Sequence, residues 1–288
     1  MTGPRRDDVT GQETTGHQWD GIEELDTPLP RWWLWVFYAC IVWSIGYWIL
    51  MPAWPLVSGY TKGMLGYSQR AVVAQKIEKA RAAQAPFTGR LVSQSFAAIA
   101  NDPELLDFAI RAGRSAFAVN CSQCHGAGGA GAKGYPNLND DAWLWGGTYA
   151  DIERTLRFGV RSSHEQTRLG MMPAFGRDQM LPADKLADVT AYVLGLSGRG
   201  TDAAAVARGA SVFRETCASC HGNDGKGKAE FGAPNLSDAI WLFGGTPTDI
   251  AATLQSGRAG VMPAWQGRLD EATIKALAIY VHALGGGK

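Results

Sequence analysis

Several things are scarce in these 288 residues. Histidine and cysteine number five each, and charge is balanced at 27 basic against 27 acidic side chains. That balance excludes the basic footprint by which a protein holds nucleic acid. Four cysteines stand as two C-x-x-C pairs, and no further pair completes a four-ligand zinc site at either. No His occurs between His17 and His125, and no charged residue between Trp32 and Thr61. The 20 residues from Trp32 to Met51 suffice to cross about 30 Å of hydrocarbon at about 1.5 Å per residue. Trp32, Trp33 and Trp35 crowd one end and Trp48 and Trp54 the other, where amphipathic rings prefer the two interfaces. Thirty polar residues precede the run, and Met51-Pro52-Ala53-Trp54-Pro55 does not resemble a small-residue cleavage site. The segment reads as an uncleaved anchor, with Cys40 a small lipid- or helix-facing residue in it.

What is present is repeated. Cys121-Ser122-Gln123-Cys124-His125 recurs as Cys217-Ala218-Ser219-Cys220-His221. In C-x-x-C-H the two thiols are spaced to form thioethers with one haem, and the adjacent His reaches its iron. Two covalently bound haem c groups are expected, on Cys121, Cys124 and His125 and on Cys217, Cys220 and His221. Any b-type haem or copper must lie on another chain, since the membrane run has no imidazole. Because c-type attachment is periplasmic in bacteria, both motifs belong on that side and the N-terminus in the cytoplasm. The count of Arg5, Arg6 and Arg31 against Lys62, Arg70 and Lys76 is close to a draw.

The division expected is a cytoplasmic tail over 1–30, a transmembrane anchor over 31–57, a periplasmic spacer over 58–101, and two haem domains over 102–198 and 199–288. The tail reads as mobile. In the spacer, Tyr67 to Gln84 reads as a helix, either at the membrane surface or solvated, broken by Pro86 and Gly89. Asn101-Asp102-Pro103-Glu104 signals a helix from 103 to about 120, with Asp as N-cap and Pro at the first position. Beyond it the chain repeats at just under 100 residues. Pro136-Asn137-Leu138 answers Pro234-Asn235-Leu236, and Trp143 to Thr148 answers Trp241 to Thr246. Met172-Pro173-Ala174-Phe175 answers Met262-Pro263-Ala264-Trp265. Closing helices are expected over 183–196 and 271–284, with Gly198 to Gly200 as the join.

Met172 and Met262 are the expected sixth iron ligands, since a thioether is soft and favours ferrous iron. Met171 is the local rival of Met172, and Met180 reads as packing. Each Met can serve its own repeat's haem or reach across to the other; at this point both remain open. An insertion, Ser162 to Leu169, carries His164 and reads as a surface loop. His282 reads as exposed, and His17 belongs to the tail. Arg161 and Arg258 follow Gly-rich turns and are candidates to pair with propionates; Lys226 and Lys228 are candidates for partner docking. Trp143 and Trp241 are expected near a haem edge, and Gly146-Gly147 and Gly244-Gly245 at close backbone approaches.

The duplicated pattern resembles class I cytochrome c, which implies a mainly α fold: one N-terminal transmembrane helix followed by two tandem domains of that class. In such domains an N-terminal helix crosses a C-terminal one at a small residue, a role for Gly113 and Gly209 against Tyr192 and Tyr280. The tail Trp19-Asp20-Gly21-Ile22-Glu23-Glu24-Leu25-Asp26-Thr27-Pro28-Leu29-Pro30-Arg31-Trp32-Trp33 resembles that of the dihaem cytochrome c subunit of cbb3-type cytochrome c oxidases. That resemblance spans the chain. It implies an inner-membrane electron-transfer subunit, not itself an enzyme, taking electrons from a soluble or membrane-anchored cytochrome c donor. They would pass to a monohaem cytochrome c subunit and a catalytic haem-copper subunit that reduces oxygen with proton pumping. A dihaem peroxidase-like enzyme and an electron-transfer subunit of a periplasmic dehydrogenase are the alternatives.

Overall fold

A computed structural model describes residues 3–200 and 202–285. The chain divides into two compact units, residues 1–81 and 82–288.

In the first unit, β1 (Thr14–Trp19) and β2 (Ile22–Leu25) form an antiparallel hairpin. Its two-residue turn is Asp20-Gly21, with φ of 47° and 87°. This is the turn chemistry that matches strand twist, and Asp-Gly between apolar Trp19 and Ile22 is its sequence signal. The expected mobile tail is thus corrected over these residues. Helix α1 (Arg31–Leu50) buries none of its side chains, although nearly all are apolar. A helix apolar all round and uncovered by protein needs another apolar medium, and this one is long and apolar enough to cross a membrane. The Ser44 hydroxyl donates to the Cys40 carbonyl at 2.7 Å, and Cys40 itself is exposed. Past the helix, a short hairpin of β3 (Pro55–Leu56) and β4 (Gly59–Tyr60) turns the chain back. Met64 and Leu65 N–H then donate to the Ile49 and Leu50 carbonyls at 2.9 and 3.1 Å, satisfying acceptors that the helix end leaves open.

Helix α2 (Gln69–Ser93) continues unbroken through Pro86 and Gly89, which corrects the expected break. Proline inside a helix costs about 3 kcal/mol. Packing just beyond Pro86 offsets that cost: Leu91 is buried, and Phe87 stacks on Phe108 with centroids 4.9 Å apart. Short α3 (Phe96–Ala100) leads to α4 (Pro103–Asn120), whose N-cap Asp102 accepts from Leu105 N–H at 3.2 Å, as its sequence predicts. The first haem motif follows on α5 (Ser122–His125), and α6 (Tyr149–Phe158) and α7 (Ala183–Leu196) complete the first repeat. In the second repeat α8 (Ala203–Val212) runs through a π-helical turn into α9 (Ala218–His221), followed by α10 (Pro247–Ser256) and α11 (Glu271–His282).

The repeats close on each other rather than each on itself. Helix α4 packs on α11 and α7 packs on α8. At the first crossing a Cβ on Gly113 would lie 2.2 Å from the Ala276 carbonyl oxygen and 2.6 Å from Tyr280 Cβ. At the second, a Cβ on Gly209 would lie 2.1 Å from the Asp188 carbonyl oxygen and 2.8 Å from Tyr192 Cβ. Both glycines do the work expected of them, but the partners are exchanged: Gly113 meets Tyr280, and Gly209 meets Tyr192. An aromatic pair seals each crossing, Phe117 with Tyr280 at 5.5 Å and Tyr192 with Phe213 at 5.0 Å. The short join explains the exchange. Gly198, with φ +72°, ends α7 as Arg199 N–H donates back to the Leu194 carbonyl at 2.9 Å. That delivers α8 directly onto α7, the sequence-local solution, and leaves α4 and α11 to each other.

Candidate haem sites

Each motif sits where a long helix hands over to a short one, so its two cysteines lie on one helical turn. Cys121 and Cys217 are buried, and burial pushes each thiol up to about 11. Such sulfurs stay neutral, as thioether formation leaves them. Among the described residues the cysteines form no disulfide.

The two histidines are held alike. His125 Nδ1 lies 3.0 Å from the Pro136 carbonyl, and His221 Nδ1 lies 3.0 Å from that of Pro234. With Nδ1–H donating there, Nε2 keeps its lone pair for a metal, and the ring orientation is set. Burial also lowers the His221 pKa, keeping that imidazole neutral. The intervening loops are built to match. Gly131 and Gly227 N–H donate to the carbonyls of His125 and His221 at 2.7 and 2.8 Å, and Leu138 and Leu236 N–H donate to Gly129 and Gly225 at 2.7 Å each. The Pro-Asn-Leu stretches, read in the sequence only as repeat markers, supply the acceptors that orient both imidazoles.

Opposite the second motif lies a cavity of about 520 Å³, within the range of small-molecule sites. Cys217, Cys220 and His221 line it on one side; Met172, Trp241 and Arg258 are among the residues that complete it. Met172 comes from the first repeat. Met262, from the second, packs against the cluster that buries Phe117, Cys121 and Leu156 beside the first motif. The backbone fixes this exchange. Met172 and Arg258 exchange hydrogen bonds of 2.9 and 3.0 Å, while Val160 and Met262 exchange a pair of 2.9 Å each. Close approach needs glycine at both places: a Cβ on Gly159 would sit 2.4 Å from the Met262 carbonyl, and one on Gly257 2.5 Å from that of Met172. Met171 and Met180 also line the cavity but are 63% and 55% exposed, whereas Met172 packs against the core.

Other expectations are met or corrected. Trp241 lines the cavity and Trp143 packs beside the first motif. The Gly pairs do lie at close approaches, with Cβ positions 2.4 Å from Asp151 and Asp249 carboxylate oxygens at Gly146 and Gly244. His282 is half-buried rather than exposed, stacked on Tyr149 at 3.8 Å. His164 belongs to its loop, its Nδ1 accepting from Gln166 N–H at 3.1 Å. Lys228 donates to the Ser219 carbonyl at 2.9 Å, inside the second motif, and Lys226 stands 3.8 Å from Asp224.

The bounds of the insertion in the first repeat are also corrected. Arg258 donates to Thr253 Oγ1 at 2.7 Å and covers the Phe243 ring at 4.2 Å. Its counterpart is Arg168, which donates to Thr155 Oγ1 at 3.0 Å and covers Trp145 at 5.3 Å. The frames are therefore Arg168-Leu169-Gly170-Met171-Met172 and Arg258-Ala259-Gly260-Val261-Met262, and the excursion in the first repeat is 160–167, not 162–169. An Arg follows a Gly closely in both stretches, so the sequence alone permits either alignment.

Comparison with known proteins shows the family. Residues 108–193 and 204–281 match the model of cytochrome c oxidase, cbb3-type, subunit III. The chain belongs to that family. Residues 11–58 match the N-terminal domain of cytochrome oxidase-cbb3, FixP. The chain is 54% identical to the cbb3-type cytochrome c oxidase subunit FixP of Bradyrhizobium diazoefficiens, over 98% of each chain. It is 51% identical to subunit CcoP of Azospirillum brasilense over the whole of both, and 52% identical to CcoP of Cereibacter sphaeroides over 96% of this chain and 95% of that one. As a member of this family it is a dihaem c-type cytochrome.

Proposed function

We propose that this chain relays electrons from a reduced cytochrome c donor through its two haems to the monohaem and catalytic haem-copper subunits of a cbb3-type oxidase, and does not itself reduce oxygen. Bound haem iron supplies a centre that takes up and gives up one electron. Cys121 and Cys124 would tether the first group, with His125 and Met262 holding its iron. Cys217 and Cys220 would tether the second, with His221 and Met172 holding its iron. The observation that carries this reading is the cavity with His221 and Met172 among its lining residues, the imidazole locked through Nδ1. With His and Met both committed to iron at each site, the chain's residues would suit electron exchange and disfavour peroxidase chemistry. The fixed imidazoles and pinned methionine backbones favour small rearrangement between redox states. Helix α1 anchors the chain in the bacterial inner membrane in a single pass, with the tail cytoplasmic and the haem sites periplasmic. Mass spectrometry of gently solubilised native membranes tests the assignment. The expected result is co-isolation with a haem-copper subunit; recovery with a dehydrogenase and no haem-copper chain would overturn it.

A further inference from the structure

The backbone pairings of the two methionine loops match, yet Arg161 has no counterpart, because in the second repeat Gly257 is followed at once by Arg258. Arg161 stands at the start of the 160–167 excursion with φ +49°, a conformation uncommon outside glycine. The excursion is closed by its own hydrogen bonds: Arg161 N–H to the Arg168 carbonyl at 2.8 Å, Ser162 N–H to Thr167 Oγ1 at 2.9 Å, and Ser162 Oγ–H to the Phe158 carbonyl at 2.7 Å.

This holds a half-buried guanidinium between the two methionine loops. Arg161 Nε donates to the Gly260 carbonyl at 2.6 Å, and Nη1 donates to the Gly170 carbonyl. Gly260 precedes Met262 by two residues, and Gly170 precedes Met172 by two. A guanidinium offers its donors in a rigid planar fork, so the two loops are tied to one body rather than to two independent side chains. Among the described residues no carboxylate pairs with it.

We propose that Arg161 is a positioning residue serving both irons, so that Met172 and Met262 are held, or released, together. The inference rests on the exchanged ligation proposed above. It predicts more than a stabilising contact: one side chain, outside both C-x-x-C-H motifs and both Met-Pro frames, governs the sixth ligand of two haems.

The test uses the full-length, haem-loaded chain in detergent. For the unmutated protein, the red charge-transfer absorption that marks methionine on ferric haem should be present at both irons, with no carbon monoxide binding when reduced. Failure of that control would sink the ligation itself. In Arg161→Ala, both haems should lose much of that absorption, fall in midpoint potential and bind carbon monoxide. Arg161→Lys, a point donor able to hold one loop carbonyl well but not both, should lie between. A change at one haem only, or none at either, would overturn the proposal. Should Arg161→Ala fail to assemble, the Lys variant alone decides: full retention of both methionine signatures would refute the two-headed tie.

Discussion

Replacing Gly113 with Ala tests the exchanged helix crossing directly. The new methyl would start 2.2 Å from the Ala276 carbonyl oxygen, more than an ångström inside ordinary contact. Because the obstacle is backbone, relief requires α4 and α11 to separate, opening the interface that buries Phe117, Leu277 and Ala278. Overpacking of this kind costs about 3 kcal/mol at its upper end. At about 2–4 °C per kcal/mol for a domain of this size, the Tm should drop by roughly 6–12 °C. Thermal unfolding of the haem-loaded chain, followed by the Soret band, reads it. The decisive experiment is a double-mutant cycle. Gly113→Ala combined with Tyr280→Ala should be non-additive by at least about 0.5 kcal/mol, because both open one crossing, whereas Gly113→Ala with Tyr192→Ala should add. Coupling to Tyr192 instead of Tyr280 would mean that each repeat closes on itself, and the reasoning would fail.

Met172→His should leave both haems attached but lower the potential of the one on Cys217 and Cys220, leaving the other unchanged; redox titration of single-motif variants assigns the two, and a fall at the Cys121 haem would contradict the exchange. Acid stability offers an independent check. Asp249 is held down to about 2 by hydrogen bonds from Lys133, at 2.6 Å, and from Thr246. A carboxyl lowered by folding adds stability that is present above its unfolded value near 3.8 and lost as pH falls towards 2. Lys133→Met should therefore destabilise the chain at neutral pH more than at pH 2, a difference that acid titration of the Soret band measures.

Much of this architecture is legible in the residues because local signals agree with the global fold. Asp102-Pro103 starts α4 where its capping chemistry says, and the two motifs state their chemistry outright. Pairing is a different matter. Gly113 and Gly209 are equivalent in sequence, as are Tyr192 and Tyr280, so nothing in the repeat says which glycine meets which tyrosine. The length of the 197–202 join decides that, together with the backbone bonds of Met172 to Arg258 and of Met262 to Val160. Pro86 misleads for the opposite reason: its local cost is real, but Leu91 and Phe87 bury enough surface just beyond it to keep the helix whole. Asp20-Gly21 is a readable turn in a stretch whose polarity suggests disorder.

The exchange makes the fold nested. In sequence, helices α7 to α10 form one group whose pieces are neighbours along the chain, while α11 returns to pack on α4 and α6, elements made long before it. Built in order of synthesis, the chain therefore finishes its second haem compartment before its first, which stays without its closing helix until the last residues are made. Truncation just before α11 would leave the earlier-synthesised site the unfinished one, so loss of the last helix is felt at the first cofactor.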